Sequence, residues 1–563
     1  MIKFTDMQYT RPEISELEEQ FHSCCVTLEK SNDLDEVLEA IRVINRLRSG
    51  FETMQAIASL RYYADLKNSF YEEERTYFDS HGPFFSKLVS TYYISLLKAP
   101  LRERLEQILG TQLFVIAESY KSTFSQDIVP YLTEENRLVT EYRKLLGTAT
   151  TKFEDRTWKL NELIPLLNDK DRQTRIKGFT IKFKIFSELE EEIDDLFEKL
   201  VHVRTKISKK LGFENFIMLG YNRLKRSDYD QGLVSKFRDQ VAESVVPFIK
   251  EIEDRKRSRL GLDSIKFYDE MIFFKEDPIL LQKSLEDVLK AGTKLFTEMS
   301  EETKEFFTYM VDNELMDLVN RPNKVSGAFI NFIRDYKAPF MFGSIHGTGS
   351  DLRTLLHEAG HGFQFYLCRD KPVPEYLAGT YEVTEIASMS MEILTEPWYH
   401  LFFTPEDSEK YKEKLILQHF QMAPYVCAVD EFQHVIYDQP ELSKEERKQV
   451  WKDLEKKYLP NRDYDSNEYL LKGNFWQQQS HIFFSPFYYI DYALAHVCAM
   501  QFWKSYKNDP VKTWGDFVKL CKYGGTLSFL DLIEKTNLVS PFEKGCLPSI
   551  IMDVKNEIFN RLN

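Results

Sequence analysis

Two histidines and a glutamate just past the middle of the chain have the spacing of a metal-binding pair with a base beside it. His357 and His361 lie four residues apart in the stretch TLLHEAGHGFQF (354–365). On a helix, both imidazoles share one face, about 6 Å apart, and can reach one Zn²⁺ at about 2.0–2.1 Å. Glu358 is then rotated by about 100° from His357. It is therefore poorly placed to bind the metal but can reach a water molecule held on the metal. This pattern predicts a hydrolytic zinc site.

The other interpretation is an ordinary helix whose two histidines are solvated or hydrogen-bonded in the core. The chain has only 11 histidines, and Gly360 and Gly362 flank the second one of this pair. Glycine inside a helix costs about 1 kcal/mol relative to alanine. Glycines here are therefore expected only where another backbone comes close. We expect a helix over SDLRTLLHEAGHGFQFYL (350–367), capped by Ser350 or Asp351.

A catalytic zinc usually has three protein ligands and one open position, so a third ligand is needed. The stretch GTYEVTEIASMSMEILTEPW (379–398) predicts a second helix after a Gly-Thr turn. Glu385 and Glu392 are two turns apart and share a face, so one can bind the metal while the other orients a ligand histidine. Spacing alone does not choose among the candidates, which are Glu375, Glu382, Glu385, Glu392 and Glu396.

The elements that must position this site are predicted to be mostly helical. Only 22 Gly and 20 Pro occur in 563 residues, and residues 13–205 show apolar residues at helical spacing. The segment 265–274 is aromatic and β-prone, and residues 325–350 predict one or two strands and a Gly-rich turn. We predict one small β-sheet next to the zinc-binding helix. The predicted domains are a helical N-terminal subdomain, 1–180, and a catalytic zinc-peptidase domain, 181–563.

Charge and hydropathy exclude several classes of partner. The formal net charge of −15 disfavours nucleic acid and anionic membranes. No apolar run is long enough for a transmembrane helix or an N-terminal signal peptide. The seven cysteines lack metal-binding spacing and are expected to be reduced thiols, which favours a cytoplasmic protein.

The segments His-Glu-Ala-Gly-His, Gly379-Thr380, Glu385-Ile-Ala-Ser and Met391-Glu392 resemble the thimet oligopeptidase/oligoendopeptidase F family of zinc peptidases, and most closely its shorter bacterial Pz-peptidase type. The resemblance extends from residue 209 to residue 533. It implies a large helical ellipsoid with a deep substrate channel and one Zn²⁺ per chain. The implied metal ligands are His357, His361 and Glu385. Glu358 is the implied general base, and Glu392 the implied carboxylate that orients a ligand.

The stretch SHIFFSPFYYIDYALAHV (480–497) is a candidate for the groups that stabilise the oxyanion. We expect Ser485-Pro486 to open a helix that places Tyr489 and Tyr492 on one face. Aromatic residues at this spacing are otherwise usually core. The family carries a similar tyrosine pair late in the chain, after a loop histidine, which implies catalytic roles for Tyr489, Tyr492 and His481.

Two further segments are candidates for contact with a substrate. His346 lies in the Gly-rich turn before the zinc helix. The segment SGAFINF (326–332) is either a strand edge that pairs with an extended peptide or an internal strand.

The function that these residues predict is a cytoplasmic zinc oligoendopeptidase, which hydrolyses internal bonds of short unfolded peptides with a zinc-activated water. The alternative is a metallocarboxypeptidase of the helical His-Glu-x-x-His kind, which needs a carboxylate-binding Arg or Tyr. A silent peptide-binding scaffold is the rival from another class, and the intact His357, Glu358 and His361 disfavour it. Cleavage preference, peptide length, oligomeric state and the physiological substrate do not follow from the sequence.

Overall fold

Six helices form the first part of the chain in the computed structural model, which describes residues 2–281 and 283–559. The apolar faces of the first five pack into a core of their own, which also takes in Val373 and Tyr376 from the segment after the helix that carries His357 and His361. Leu138 and Tyr142 of the sixth helix are buried in the main core instead. The helices are α1 Ile14–Lys30, α2 Leu34–Ala64, α3 Ser69–Lys98, α4 Arg102–Leu109, α5 Thr111–Thr123 and α6 Val129–Thr148.

A short antiparallel hairpin interrupts the helices, with strands β1 Thr150–Phe153 and β2 Arg156–Lys159. The prediction of helices throughout residues 13–205 is therefore wrong here, because strands of four residues are too short to show a period of two. Eight helices follow: α7 Ile164–Leu167, α8 Arg172–Glu188, α9 Glu190–Lys210, α10 Phe216–Arg223, α11 Gln231–Gln240, α12 Val246–Leu260, α13 Leu285–Met299 and α14 Glu301–Asp312. Helix α8 runs through residue 180, and the division into 1–180 and 181–563 stays a prediction.

The aromatic segment 265–274 is not a strand. It contains a 3-10 turn, Phe267–Asp269, whose Asp269 is fully buried and bridges the guanidinium groups of Arg172 and Arg175 at 2.7 and 2.8 Å. Phe267 and Phe273 are buried in the main core. Burial of the aromatic rings, rather than strand pairing, explains their enrichment in this segment.

The predicted small sheet is present beside the helix that carries His357 and His361. Its strands are β3 Met316–Asp317, β4 Phe329–Ile333 and β5 Ala338–Phe342, in the order β3-β5-β4. Strand β5 is wholly buried and pairs in parallel with β3 and antiparallel with β4. Strand β4 is therefore an edge strand of this sheet among the described residues.

Ten helices complete the fold, and the predicted mostly helical class is confirmed. They are α15 Gly349–Cys368, α16 Tyr381–Leu394, α17 Pro405–Asp438, α18 Lys444–Tyr458, α19 Glu468–Leu471, α20 His481–Phe484, α21 Ile490–Asn508, α22 Pro510–Tyr523, α23 Phe529–Lys535 and α24 Cys546–Val554. Helix α16 packs against both α15 and α21. Within residues 2–281 and 283–559, every helix is too short or too polar to cross a membrane.

Helix α15 begins slightly earlier than predicted. Its N-cap is Thr348, not Ser350 or Asp351, and Thr348 and Asp351 form a reciprocal capping box. Thr348 N–H donates to Asp351 Oδ2 at 2.7 Å, and Asp351 N–H donates to Thr348 Oγ1 at 3.3 Å. The cap fixes the start of the helix and thereby the rotation of the residues that follow.

The predicted close approach of another backbone is found at Gly360. A Cβ atom there would lie 2.6 Å from both Ala387 O and Ser388 Cα of α16. Gly362 has a similar role, since a Cβ would lie 2.8 Å from Ile330 Cδ1 of β4. The two glycines let α15 approach its neighbours on two sides.

We expect Gly360→Ala to lower the free energy of unfolding by about 1–3 kcal/mol, because the new methyl group overlaps the α16 backbone and forces the two helices apart. Thermal and urea unfolding measure the effect. The control is Gly515→Ala in α22, where a Cβ meets no atom within 4 Å. That variant should be neutral or slightly more stable. Equal stability of Gly360→Ala and wild type would contradict the close-packing argument.

Candidate metal centre and active site

Three side chains from α15 and α16 converge to form a candidate metal site. His357, His361 and Glu385 each offer one ligand atom, and these atoms all lie within 4.8 Å of one another. Glu385 Oε2 is 3.4 Å from His357 Nε2 and 3.9 Å from His361 Nε2. The imidazole rings stand nearly perpendicular, with centroids 4.8 Å apart. Two imidazole nitrogens and one carboxylate oxygen form a donor set suited to Zn²⁺.

Glu392 orients His357 from the side opposite the candidate metal position. Its Oε1 is 2.6 Å from His357 Nδ1, which leaves Nε2 directed towards Glu385. Arg353 Nε donates to the other oxygen of Glu392 at 2.6 Å. Arg353, Glu392 and His357 thus form a line of charge-assisted contacts that fixes the imidazole.

Burial and charged neighbours together set the pKa values of the three candidate ligands. Burial lowers the pKa of His357, but Glu385 and Glu392 outweigh it and raise the value to about 10. Burial raises the pKa of Glu385, yet its contacts with His357 and His361 bring it to about 2. Burial lowers the pKa of His361 to about 4. A bound divalent cation therefore competes with the proton on His357.

Glu358 lies one residue from His357 and faces strand β4. Its side chain is buried, and that burial raises its pKa to about 7, although a hydrogen bond to the backbone of Ile330 opposes the shift. A carboxyl group with a pKa near neutrality can both accept and return a proton at physiological pH. Glu358 therefore lies beside an edge strand of the small sheet.

The predicted aromatic group from the segment 480–497 lies close to Glu385. The ring of His481 is 4.9 Å from that of Tyr489 and 6.1 Å from that of Tyr492. The amide nitrogen of Gln479 is 2.7 Å from His481 Nδ1, and burial lowers the pKa of this histidine. The structure thus brings the three predicted residues together.

Tyr488, which was not predicted from the sequence, makes the direct contact with the candidate ligand Glu385. Its hydroxyl donates to Glu385 Oε1 at 3.0 Å and lies 2.9 Å from the Tyr492 hydroxyl. The expected helix start at Ser485-Pro486 is wrong, since α21 begins at Ile490. Tyr488 therefore lies in the turn before α21, and Tyr489 is the N-cap residue.

The structure distinguishes two of the five candidate glutamates from the other three by their contacts. Glu385 and Glu392 are the two that contact His357, whereas the others have partners elsewhere. Glu375 pairs with Arg48, Glu382 accepts from Thr380 and Glu396 pairs with Lys412.

His346 is one of the two candidates for contact with a substrate. Its side chain is exposed, and its Nδ1 lies 3.4 Å from Asn320 Nδ2. Its role stays a prediction. The segment 326–332 contains most of β4, and the edge position of this strand agrees with the edge alternative rather than the internal one.

Two residues of the site, Arg353 and Tyr488, were not predicted from the sequence, although their spacing to predicted residues was a local indication. Arg353 is four residues before His357, and Tyr488 is four residues before Tyr492, so each shares a helix-like face with a residue that was identified. Neither spacing shows which partner the side chain meets, because the partners lie on α16.

Comparison with known proteins agrees with this geometry. The model of the peptidase M3 N-terminal domain matches residues 4–124, and that of peptidase family M3 matches residues 165–550. The solved structure of Pz peptidase A with inhibitor 2 is 42% identical, covers 99% of both chains and superposes with a TM-score of 0.92.

Curated relatives are more distant in sequence. Oligopeptidase PepF of Bacillus subtilis (strain 168) is 21% identical over 92% of this chain and 80% of its own length. The oligoendopeptidase F homolog of Borreliella burgdorferi is 22% identical over 66% of this chain, and the match spans 62% of that relative's length. The predicted family resemblance is confirmed: the chain belongs to peptidase family M3 and is a peptidase.

Proposed function

We propose that this peptidase is a zinc-dependent oligoendopeptidase that cuts internal bonds of short unfolded peptides. The observation that carries the proposal is the convergence of His357, His361 and Glu385, with Glu358 on the same turn of α15. The names of the similar proteins, oligoendopeptidase F and oligopeptidase, support the substrate class.

The donor set favours zinc. It comprises two nitrogens and one oxygen. A four-coordinate ion held by these three donors would have one position left for a water molecule or the substrate. When bound, such a cation acidifies a water molecule and polarises the scissile carbonyl. The protein's contribution is to fix the donors: Glu392 sets the tautomer of His357, and Tyr488 holds the second oxygen of Glu385.

Strand β4 is proposed to bind the peptide. An extended substrate can add to the outer edge of the sheet through backbone hydrogen bonds if it takes over the N–H groups of Ile330 and Phe332, which bond to the Glu358 carboxylate and to Asn331 Oδ1 in the structure. Because the Ile330 backbone also contacts Glu358, a peptide on this edge passes beside the carboxylate. Such pairing recognises the peptide backbone rather than a particular side chain, which suits a peptidase that acts on short peptides of varied sequence.

Glu358 is proposed to move the proton. It accepts a proton from the attacking water and returns it to the amine of the departing peptide, so one carboxyl group serves both steps. Its burial disfavours the charged form and raises the pKa to about 7, which suits this exchange.

Hydroxyl groups are proposed to stabilise the oxyanion that forms on the carbonyl oxygen. Tyr492 and Tyr489 are the candidates, since each donates without a change of charge. Tyr488 is occupied by Glu385 and serves as a positioning residue. His481, packed on these rings, holds their orientation and is a further candidate donor.

Glu358→Gln should retain the metal but lower kcat by about 10²–10⁴-fold, because glutamine fills the same space yet cannot accept the proton. The measurement is cleavage of a doubly blocked, internally quenched peptide together with the metal content of each protein. Glu305→Gln, which changes an exposed carboxylate on α14, is the matched control.

If wild type leaves the blocked peptide intact but removes residues from a free C-terminus, the carboxypeptidase alternative is correct. Full activity of Glu358→Gln would exclude this carboxylate as the base.

Glu392→Gln should weaken metal affinity by about 10–100-fold, since His357 loses the carboxylate that orients it. Competition with a chromogenic chelator measures the affinity. Glu385→Gln should weaken it further, because a direct ligand is altered. Unchanged affinity in Glu392→Gln would show that His357 does not depend on this contact.

Tyr492→Phe should lower kcat by about 10²–10³-fold with little change in KM, as expected for a donor that acts mainly on the oxyanion. Steady-state kinetics of Tyr492→Phe and Tyr489→Phe, measured in parallel, distinguish the two hydroxyls. A loss confined to Tyr489→Phe assigns the role to Tyr489, and full activity in both variants contradicts the proposal.

A further inference from the structure

Lys225 holds an unusual backbone conformation at the end of α10. Its φ is 60°, in the left-handed region that favours glycine. Lys225 N–H donates to Asn222 O at 3.0 Å, and Arg226 N–H donates to Tyr221 O at 3.1 Å, a pattern that commonly ends a helix at glycine. A lysine here accepts backbone strain, and such strain is concentrated at functional positions.

The ammonium group of Lys225 is a positive charge without a matching carboxylate. Lys225 is half-buried, and burial lowers the pKa of its ammonium group; Glu375 and Glu52 oppose this shift, whereas Arg48 and Arg334 add to it. These four are already paired, since Arg48 binds Glu375 at 2.7 Å and Arg334 binds Glu52. Among the described residues, no carboxylate lies within ion-pair distance of Lys225 Nζ. Of these five groups, Lys225 is the one that forms no ion pair among the described residues.

A run of tyrosines connects this charge with the candidate metal site. Lys225 Nζ lies 5.8 Å from the centre of the Tyr120 ring, and Tyr120 acts electrostatically on Tyr381. Tyr381 is 51% exposed, and its ring is 4.6 Å from that of Tyr488. Tyr488 in turn donates to Glu385. These rings form a tyrosine surface between Glu385 and Lys225, in which Tyr381 is exposed and Tyr120 and Tyr488 are half-buried.

We propose that Lys225 binds a carboxylate of the peptide substrate while the scissile bond lies at the metal site; this inference rests on the proposed function. The tyrosine surface accommodates the intervening residues of the peptide. The carboxylate comes either from the C-terminus or from an acidic side chain, and both present the same chemistry to an ammonium group. Lys225 is accordingly a specificity-determining residue and takes no part in the chemical step.

The test compares matched peptides of equal length. The two peptides of the first pair differ only at the C-terminus, which is a free carboxylate in one and an amide in the other. Both peptides of the second pair have an amidated C-terminus, and one carries Glu where the other carries Gln. The second pair is made for successive positions beyond the cleavage site. Wild type, Lys225→Asn and Lys225→Arg are assayed by chromatography of the products. Asparagine tolerates the left-handed backbone, so Lys225→Asn removes the charge without adding strain. Thermal unfolding confirms that both variants are folded.

We expect wild type to prefer the carboxylate-bearing member of at least one pair by about tenfold in kcat/KM, through KM. Lys225→Asn should abolish this preference while cutting the neutral peptides at the wild-type rate, and Lys225→Arg should retain it. Preference in the first pair identifies the C-terminus, and preference in the second identifies a side chain. Equal cleavage of both members of both pairs by wild type, or a preference that survives in Lys225→Asn, overturns the inference and leaves the proposed function intact. Absence of any cleavage contradicts both.

Discussion

The close packing of α15 on α16 is the constraint on which the candidate site depends. Two candidate ligands lie on one helix and the third on the other, so the helix separation sets the distances from Glu385 to the histidines. Gly360 permits that separation, because any side chain there would overlap the backbone at Ala387 and Ser388. The Thr348 cap then fixes the rotation of α15. Packing and capping together preorganise the donors before any ligand binds.

Charge balance is the second requirement of the site. Glu385 and Glu392 are buried carboxylates, and each needs a compensating positive charge. Arg353 and His357 supply it in the structure. The Arg48–Glu375 pair performs a comparable role at the junction between the N-terminal helices and the segment after α15. Lys225 differs from these groups, since its charge has no carboxylate partner among the described residues.

The amino-acid sequence predicts the local part of this site and leaves the non-local part open. His357, Glu358 and His361 follow from helical spacing within one turn. The choice between Glu385 and Glu392 does not, because both share a face of α16 and only the approach of α15 decides which one meets Nε2. Tyr488 was missed for a related reason: its spacing from Tyr492 indicates a shared face but not its partner Glu385, which lies on α16. The β1–β2 hairpin was missed because its pairing is too short to leave a pattern.

The central claim is that His357, His361 and Glu385 hold one zinc ion. Anomalous diffraction at the zinc edge, from crystals of zinc-loaded protein, tests it most directly. We predict one strong anomalous peak per chain, about 2.0–2.1 Å from one nitrogen of each histidine and at a similar distance from a Glu385 oxygen. A peak at other residues, or none between α15 and α16 at saturating zinc, would contradict the account.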